Sequence, residues 1–483
     1  MMLKTENIMK KIKILAILSI VLCVSSCGTD YLDPAPTAAI SGETFYSNDA
    51  ELEAAVINMY DGIQGINASE DSDSDLNHAI QVEYYLTEMR SDNTRTKSSE
   101  GESAQFENFT VRATNGIVAD YYTSFYNVIF RANIVLENLD AASEANAAKF
   151  EAEAKFVRAY AYFNLVRLFG DIPLIDRVVA PLETEIQFTR VAKSAVYDLI
   201  ISDLSFAAGK LDNTYKTRAS KAAAQALLAK VHLTLGNYTD AQGLLEEVMG
   251  SGFTLQPNFK DVFYNEENSE IIFAIGFLPD NANDSQNFSA EWLNSVGRSS
   301  GVNYVTPEAR AALDALGGDR TMFSYRQDQA QPTEYQVVKY LPDGDASLGI
   351  APTSGNATSA GNDWIVLRYA DVLLMHVEAI MAGASFTTNS QAIASFQKVR
   401  NRAGLTDPVS SISKQELINE RRVELAFENQ RIFDLIRFGV AQEVLSAFSE
   451  ANNYSFSATD LLLPIPQREV NLSKGLLSQN PGY

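Results

Sequence analysis

The 483-residue chain has little of what most enzymatic and metal chemistries need: two cysteines, three histidines and two tryptophans. Two cysteines cannot build a disulfide framework. Of the histidines His78, His232 and His376, the last two lie within apolar helical runs, where a satisfied core histidine is expected. There is no His-Glu-x-x-His zinc helix, no phosphate-binding Gly loop with Lys, no Gly-x-Ser-x-Gly elbow and no dinucleotide fingerprint. No cofactor is therefore called for. The paired carboxylates of a glycosidase leave no signature in an acidic chain, and nothing points to them here. Positive charge is also scarce, with 38 Lys and Arg against 61 Asp and Glu, a net charge of −23. That disfavours nucleic acid and broad attachment to anionic lipid headgroups, which need clustered cations. A hydrophobic content of 46% excludes wholesale disorder.

Long hydrophobic runs are scarce as well. Lys4, Lys10, Lys11 and Lys13 precede "ILAILSIVLCV", Ile14 to Val24, which is too short to span a bilayer comfortably and reads as an export signal. Small Ser25 and Ser26 stand directly before Cys27. This looks like the lipobox of a bacterial lipoprotein, although Val24 occupies the place where Leu is more usual. Cleavage there removes residues 1–26 and leaves an acylated Cys27, with two or three chains able to hold the protein on a membrane. The other cysteine, Cys23, leaves with the signal. So do four lysines and one glutamate, which makes the remainder three charges more negative than the whole chain.

Residues 27–44 are rich in Pro, Gly, Thr and Asp and read as a tether; residues 45–483 read as the folded body. Helical periodicity opens at "NDAELEAAVINMYDGIQ", where Asn48 or Asp49 can cap a helix that places Leu52, Ala55, Val56, Met59 and Ile63 on one face. "EAEAKFVRAYAYFNLVRLFGDIPLI" carries Phe156, Tyr160, Phe163 and Leu168 at helical spacing and stops at Gly170 and Pro173. "RASKAAAQALLAKVHLTLGNYTDAQGLLEEVM" resembles a tetratricopeptide repeat: Ala219, Ala222 to Ala224, Ala226 and Ala229 permit close helix approach, Gly236 ends the first helix, and Tyr238 with Ala241 begins the second. A similar pair recurs in "LRYADVLLMHVEAIMAG" with "SQAIASFQKVRNRAG". Between these blocks, residues 251 to 365 hold short β-like pieces, "EIIFAIGF" and "EYQVVKYL", among polar loops. The segment "PDGDASLGIAPTSGNATSAGND" has no period at all, and "NASEDSDSD" and "SDNTRTKSSEGESAQ" interrupt the N-terminal helices. The expected fold is mainly α: tetratricopeptide-like helical pairs packed against an irregular, loop-rich region with short strands.

Near the C-terminus, "ERRVELAFENQRIFDLIRFG" alternates charged and apolar residues. On a helix, Arg421, Glu424, Glu428 and Arg431 share a stripe that Asp434 and Arg437 continue. Apolar residues flank the stripe on both sides, so the expectation is an enclosed helix whose ions form a buried, register-fixing network.

The same stretch resembles the C-terminal hallmark of the SusD/RagB family of outer-membrane lipoproteins. "CGTDYLDPAP", "AELEAAVINMYDGI", "EAKFVRAYAYFNLVRLFGDIPLI", "SKAAAQALLAKVHLTLGNY", "RYADVLLMHVEA", "VRNRAGL" and "LLPIPQREV" with "QNPGY" agree in order, over essentially the whole chain after residue 26. The resemblance implies a non-enzymatic lipoprotein on the outer face of the outer membrane, lying over a SusC-like TonB-dependent β-barrel transporter and capturing oligosaccharides for import. Some relatives take peptides, as RagB-like proteins do, and a protein-interaction scaffold is a further reading.

Sugars present C–H faces to aromatic rings and hydroxyls to planar polar groups. Within the irregular region, Trp292 in "SAEWLNSVGRSSGVNY", followed by Tyr304, is the expected anchor. The family resemblance also places a polar loop after the first helices against the ligand. "MRSDNTRTK" occupies that place and offers Arg90, Asp92, Asn93 and Arg95.

Overall fold

The computed structural model describes residues 46–67, 77–96, 101–179, 183, 188–293, 303–328 and 331–483. The signal, Cys27, the tether and most of "NASEDSDSD" lie outside the described residues.

Helix α1, Asp49–Gln64, is capped by the Asn48 side chain, which accepts from the Ala50 and Glu51 amides, and buries the five residues its period singles out. Next come α2, Gly116–Glu137, and α3, Glu144–Phe169, which ends at Gly170 with φ 72°. Then follow α4, Lys193–Lys210, α5, Lys221–Leu235, and α6, Tyr238–Met249. Gly236 takes the left-handed conformation (φ 77°), and the Asn237 N–H returns to the His232 carbonyl at 2.8 Å. That turn reverses the chain. The alanines of α5 are buried, so α4 and α6 approach its backbone closely. Helix α7, Pro307–Leu316, lies in the insertion; α8, Tyr369–Met381, and α9, Ser390–Arg402, form the later pair. Each helix of the series α1 to α6 packs on its neighbour or next neighbour, and α8 packs on α6 although residues 250–368 intervene. The array is continuous through space and interrupted only in sequence.

The insertion is anchored where β2, Ile271–Ile275, pairs antiparallel with β6, Trp364–Arg368. Shorter pairs are β1 (Thr94–Arg95) with β3 (Tyr304–Val305), β4 (Tyr325–Gln327) with β5 (Tyr335–Val337), and β7 (Phe386–Thr387) with β8 (Ile412–Ser413). "EIIFAIGF" and "EYQVVKYL" thus hold strands as expected. The insertion is less irregular than expected, because α7 starts where the Thr306 hydroxyl accepts from the Ala309 amide with Pro307 in the first turn. A seven-residue helix, Gly101–Glu107, similarly occupies part of "SDNTRTKSSEGESAQ". His376 is a core histidine bonded to Ser395 at 2.9 Å, whereas His232 is half-exposed.

The C-terminal stretch departs from the single helix its pattern suggests. Helix α10, Lys414–Glu424, opens on a capping box between Ser413 and Glu416, and α11, Arg431–Arg437, follows after a break. Within the break Phe427 (φ 67°) and Asn429 (φ 57°) are left-handed. Side chains from elsewhere take the backbone groups that a continuous helix would pair. Arg368 and Lys339 donate to the Glu424 carbonyl at 2.7 and 3.1 Å, Tyr340 donates to the Phe427 carbonyl at 3.0 Å, and the Asn429 N–H donates to Glu88 at 3.1 Å. The ion network is nonetheless buried as expected. Glu424 accepts from Arg320, Arg368 and Arg402; Arg421 lies between Asp371 and Asp434; Arg437 joins Asp434 to Glu378. Helix α12, Ala441–Asn452, completes the packing.

Candidate functional site

The buried network positions the segment that carries the candidate site. Asp92 receives Arg431 at 2.8 and 3.0 Å and Arg422 at 2.9 Å. Burial alone would raise its carboxyl, but the two guanidinium groups hold it well below the usual carboxylate range. Asn93 accepts from Arg422 Nε at 3.0 Å and donates to Glu88. Arg90 donates to the carbonyls of Leu86 and Asp460. All three side chains are buried. The polar loop expected to face the ligand therefore turns Arg90, Asp92 and Asn93 inward, as anchors onto the C-terminal segment. For Asp92 the reason is electrostatic, since it meets two oppositely charged partners in the interior; Arg90 and Asn93 are held by hydrogen bonds.

The chain surfaces at Arg95. Thr306 fixes this strand by donating its N–H to the Asn93 carbonyl (3.0 Å) and its hydroxyl to the Asp92 and Asn93 carbonyls (2.8 and 3.1 Å). Arg95 then pairs in register with Tyr304. Its guanidinium lies over the Tyr304 ring, 5.2 Å from the centroid, and 3.4 Å from the Glu334 carboxylate. Beside Glu334, the Tyr335 ring is covered by Arg310 at 3.8 Å and meets Tyr325 edge-on at 5.8 Å; the Tyr325 hydroxyl donates to Asp314. Arg95 Nε and Arg310 Nε have no hydrogen-bond partner among the described residues. Burial, followed by the nearby Glu334 charge, pushes Tyr304 up to about 12, and burial with the Asp314 bond raises Tyr325 as well. Both remain neutral hydroxyls near neutral pH. The face thus combines the half-exposed Tyr325 and Tyr335 rings, the buried Tyr304 ring beneath Arg95, planar guanidinium donors and carboxylate acceptors, a set that can hold a polyhydroxylated ligand by stacking and paired hydrogen bonds.

Trp292 does not share this face. A single helical turn, Phe288–Glu291, leads into it, and its side chain is fully buried among Tyr84, Tyr340 and Phe427, with ring centroids 5.6 to 6.1 Å away. This corrects the expectation of an exposed anchor: aromatic neighbours remote in sequence enclose it. Residues 294–302 of the same stretch lie outside the described residues. Of the six expected contacts, the structure brings together Arg95 and Tyr304. Tyr325, Tyr335, Arg310 and Glu334 were missed. The alternation in "EYQVVKYL" marks a strand with Tyr335 near its start, but nothing local shows that α7 carries Arg310 onto its ring. Among the described residues no group of three or more His, Cys, Asp or Glu converges as a metal site.

Comparison with known proteins agrees with this architecture. Residues 248–483 match the family model described as the SusD family, and residues 30–233 match one described as starch-binding associating with outer membrane. The SusD-like protein P2 of Formosa agariphila is 29% identical, over 98% of this chain and all of that protein. A SusD-like protein of Bacteroides ovatus is 26% identical over 89% of this chain and 83% of its own length. Among solved structures, a laminarin-binding SusD-like protein superposes with a TM-score of 0.74 at 28% identity, covering 91% of this chain and all of that one. The chain belongs to the SusD/RagB family, whose members associate with the outer membrane.

Proposed function

We propose that this protein captures oligosaccharides at the cell surface, without cleaving them, and delivers them to a SusC-like TonB-dependent β-barrel transporter while lipid on Cys27 holds it to the outer membrane. The observation that carries the reading is its full-length likeness to a SusD-like protein described as binding laminarin. The Arg95–Tyr304–Tyr335 face supports it chemically. Arg95 is paired with Glu334 and Arg310 lies on the Tyr335 ring, so the face suits a neutral ligand rich in hydroxyls. Aromatic faces supply the apolar contact, and guanidinium and carboxylate edges supply direction.

The test is calorimetric titration of the lipid-free mature protein with oligosaccharides of laminarin, starch and xyloglucan, and with unrelated peptides, followed by chromatography of the recovered ligand. Saturable binding of at least one glycan, recovered at its original length, is expected. Peptide binding alone, or shortened glycan, contradicts the proposal. Delivery is tested by copurification: the tagged lipoprotein should bring a TonB-dependent barrel out of detergent-solubilised outer membrane, and its absence contradicts that part.

A further inference from the structure

A cleft of about 580 Å³ opens where the C-terminal ends of α3 and α5, the N-terminus of α4, α11 and the C-terminal tail meet. Leu235, Ile436 and Leu462 give it apolar walls, the first two markedly exposed at 39% and 38%. Arg167 forms its floor. The guanidinium is stacked between the rings of Phe163 (4.0 Å) and Phe433 (3.8 Å), and on its far side both Arg167 and Phe433 line a small inner cavity.

The cations facing this cleft differ from those of the buried network. Arg320, Arg368, Arg421 and Arg431 each meet a carboxylate. Arg167 instead donates to two neutral oxygens, the Phe163 carbonyl at 3.2 Å and the Asn164 side chain. Arg190 donates to the carbonyls of Asp171 (2.7 Å) and Ser478 (3.0 Å) and to the Asn480 side chain. Lys193 is exposed at the start of α4, where the Asp171 carboxylate accepts from its backbone N–H at 2.8 Å. Among the described residues none of these three side chains makes an ion pair. The fourth cation of the lining, Arg437, is neutralised by Glu378 and Asp434. Buried Glu83 faces Arg167 from the inner cavity and is the foremost charge acting on it; in the cleft itself three positive charges meet the single lining carboxylate of Asp171, a locally cationic patch in a chain whose net charge is −23.

A partly buried guanidinium whose hydrogen bonds go to neutral acceptors gains from an arriving anion. Apolar walls gain from an apolar body, and leave sugar hydroxyls without partners. The volume is that of a small-molecule site. We propose that this cleft is a second binding site, for a small organic anion in which a carboxylate is joined to an apolar body. The site does not rest on the glycan reading.

Octanoate is the probe, titrated calorimetrically into the lipid-free mature protein, with 1-octanol and inorganic sulfate as controls for each half of the ligand. Lys193→Glu and Ile436→Asp are chosen because both side chains are exposed and neither belongs to the Arg95 face. The expected results are saturable one-site binding of octanoate and losses of about fivefold or more in Lys193→Glu and about tenfold or more in Ile436→Asp, with no saturable binding of either control. Circular dichroism and laminarin-oligosaccharide binding should be unchanged in both variants. The proposal is overturned by absence of saturable octanoate binding up to about 20 mM. It is equally overturned by affinity that neither variant alters, or by octanol or sulfate binding as tightly as octanoate.

Discussion

Arg431 grips Asp92 across 339 positions of sequence, Nε to Oδ1 at 2.8 Å and Nη2 to Oδ2 at 3.0 Å. This two-point pair fastens the C-terminal hallmark onto the segment that ends in Arg95, so the family's most recognisable stretch acts as the frame of the candidate site. Its charged residues hold the first strand of the candidate face in place from behind.

Asp92→Ala leaves Arg431 and Arg422 buried without their carboxylate, at a cost of roughly 3 to 5 kcal/mol. Denaturant unfolding should show that loss, with glycan affinity retained by the fraction that stays folded. Unchanged stability accompanied by lost binding would return Asp92 to the ligand.

Glu88 supplies a pH signature. Its carboxylate is fully buried, accepting from the Asn429 N–H and the Asn93 side chain, and burial pushes it up to about 7 from an ordinary 4.5. The folded state therefore holds this proton more tightly than the unfolded chain. The stabilisation it gives is complete below pH 4.5 and fades as pH rises to about 7. Lys339, lowered to about 8, titrates above that window. Between pH 5 and pH 8 the wild type should lose more stability than Glu88→Gln, by roughly 3 kcal/mol. Parallel pH profiles for the two proteins would refute the assignment.

Much of the scaffold was legible because its causes are local. The period of Leu52 to Ile63 and the alanines of α5 with Gly236 each carry their own structural consequence. The break at residues 425–430 was not, because it depends on Lys339, Tyr340, Arg368 and Glu88 capturing backbone groups from remote positions. The site was half legible for the same reason. Arg95 reaches the surface from irregular sequence, whereas Asp92, three residues earlier, and the aromatic Trp292 and Tyr304 are buried, and what folds over each is set by residues remote in sequence.

Trp292→Ala should behave as a core truncation. Removing the indole from among Tyr84, Tyr340 and Phe427 is expected to destabilise by about 3 to 5 kcal/mol, read by thermal or denaturant unfolding. Native stability in the variant would mean that the ring is not part of the core.

Cys27→Ala tests the anchor. Cell fractionation and mass spectrometry should show the variant released from the membrane and without lipid, and protease treatment of intact cells should digest the wild type if it faces outward. A variant that stays membrane-bound and acylated would disprove lipidation at Cys27.

The central claim is that a glycan is held on the face formed by Arg95, Tyr304 and Tyr335. The most direct measurement is calorimetric titration of a laminarin oligosaccharide into the lipid-free mature wild type, Arg95→Ala and Tyr335→Ala, each first shown to unfold at the wild-type temperature. The account predicts binding by the wild type and a loss of about tenfold or more in each variant, since each removes a stacking or hydrogen-bonding edge of the face. Wild-type affinity in both folded variants would contradict it.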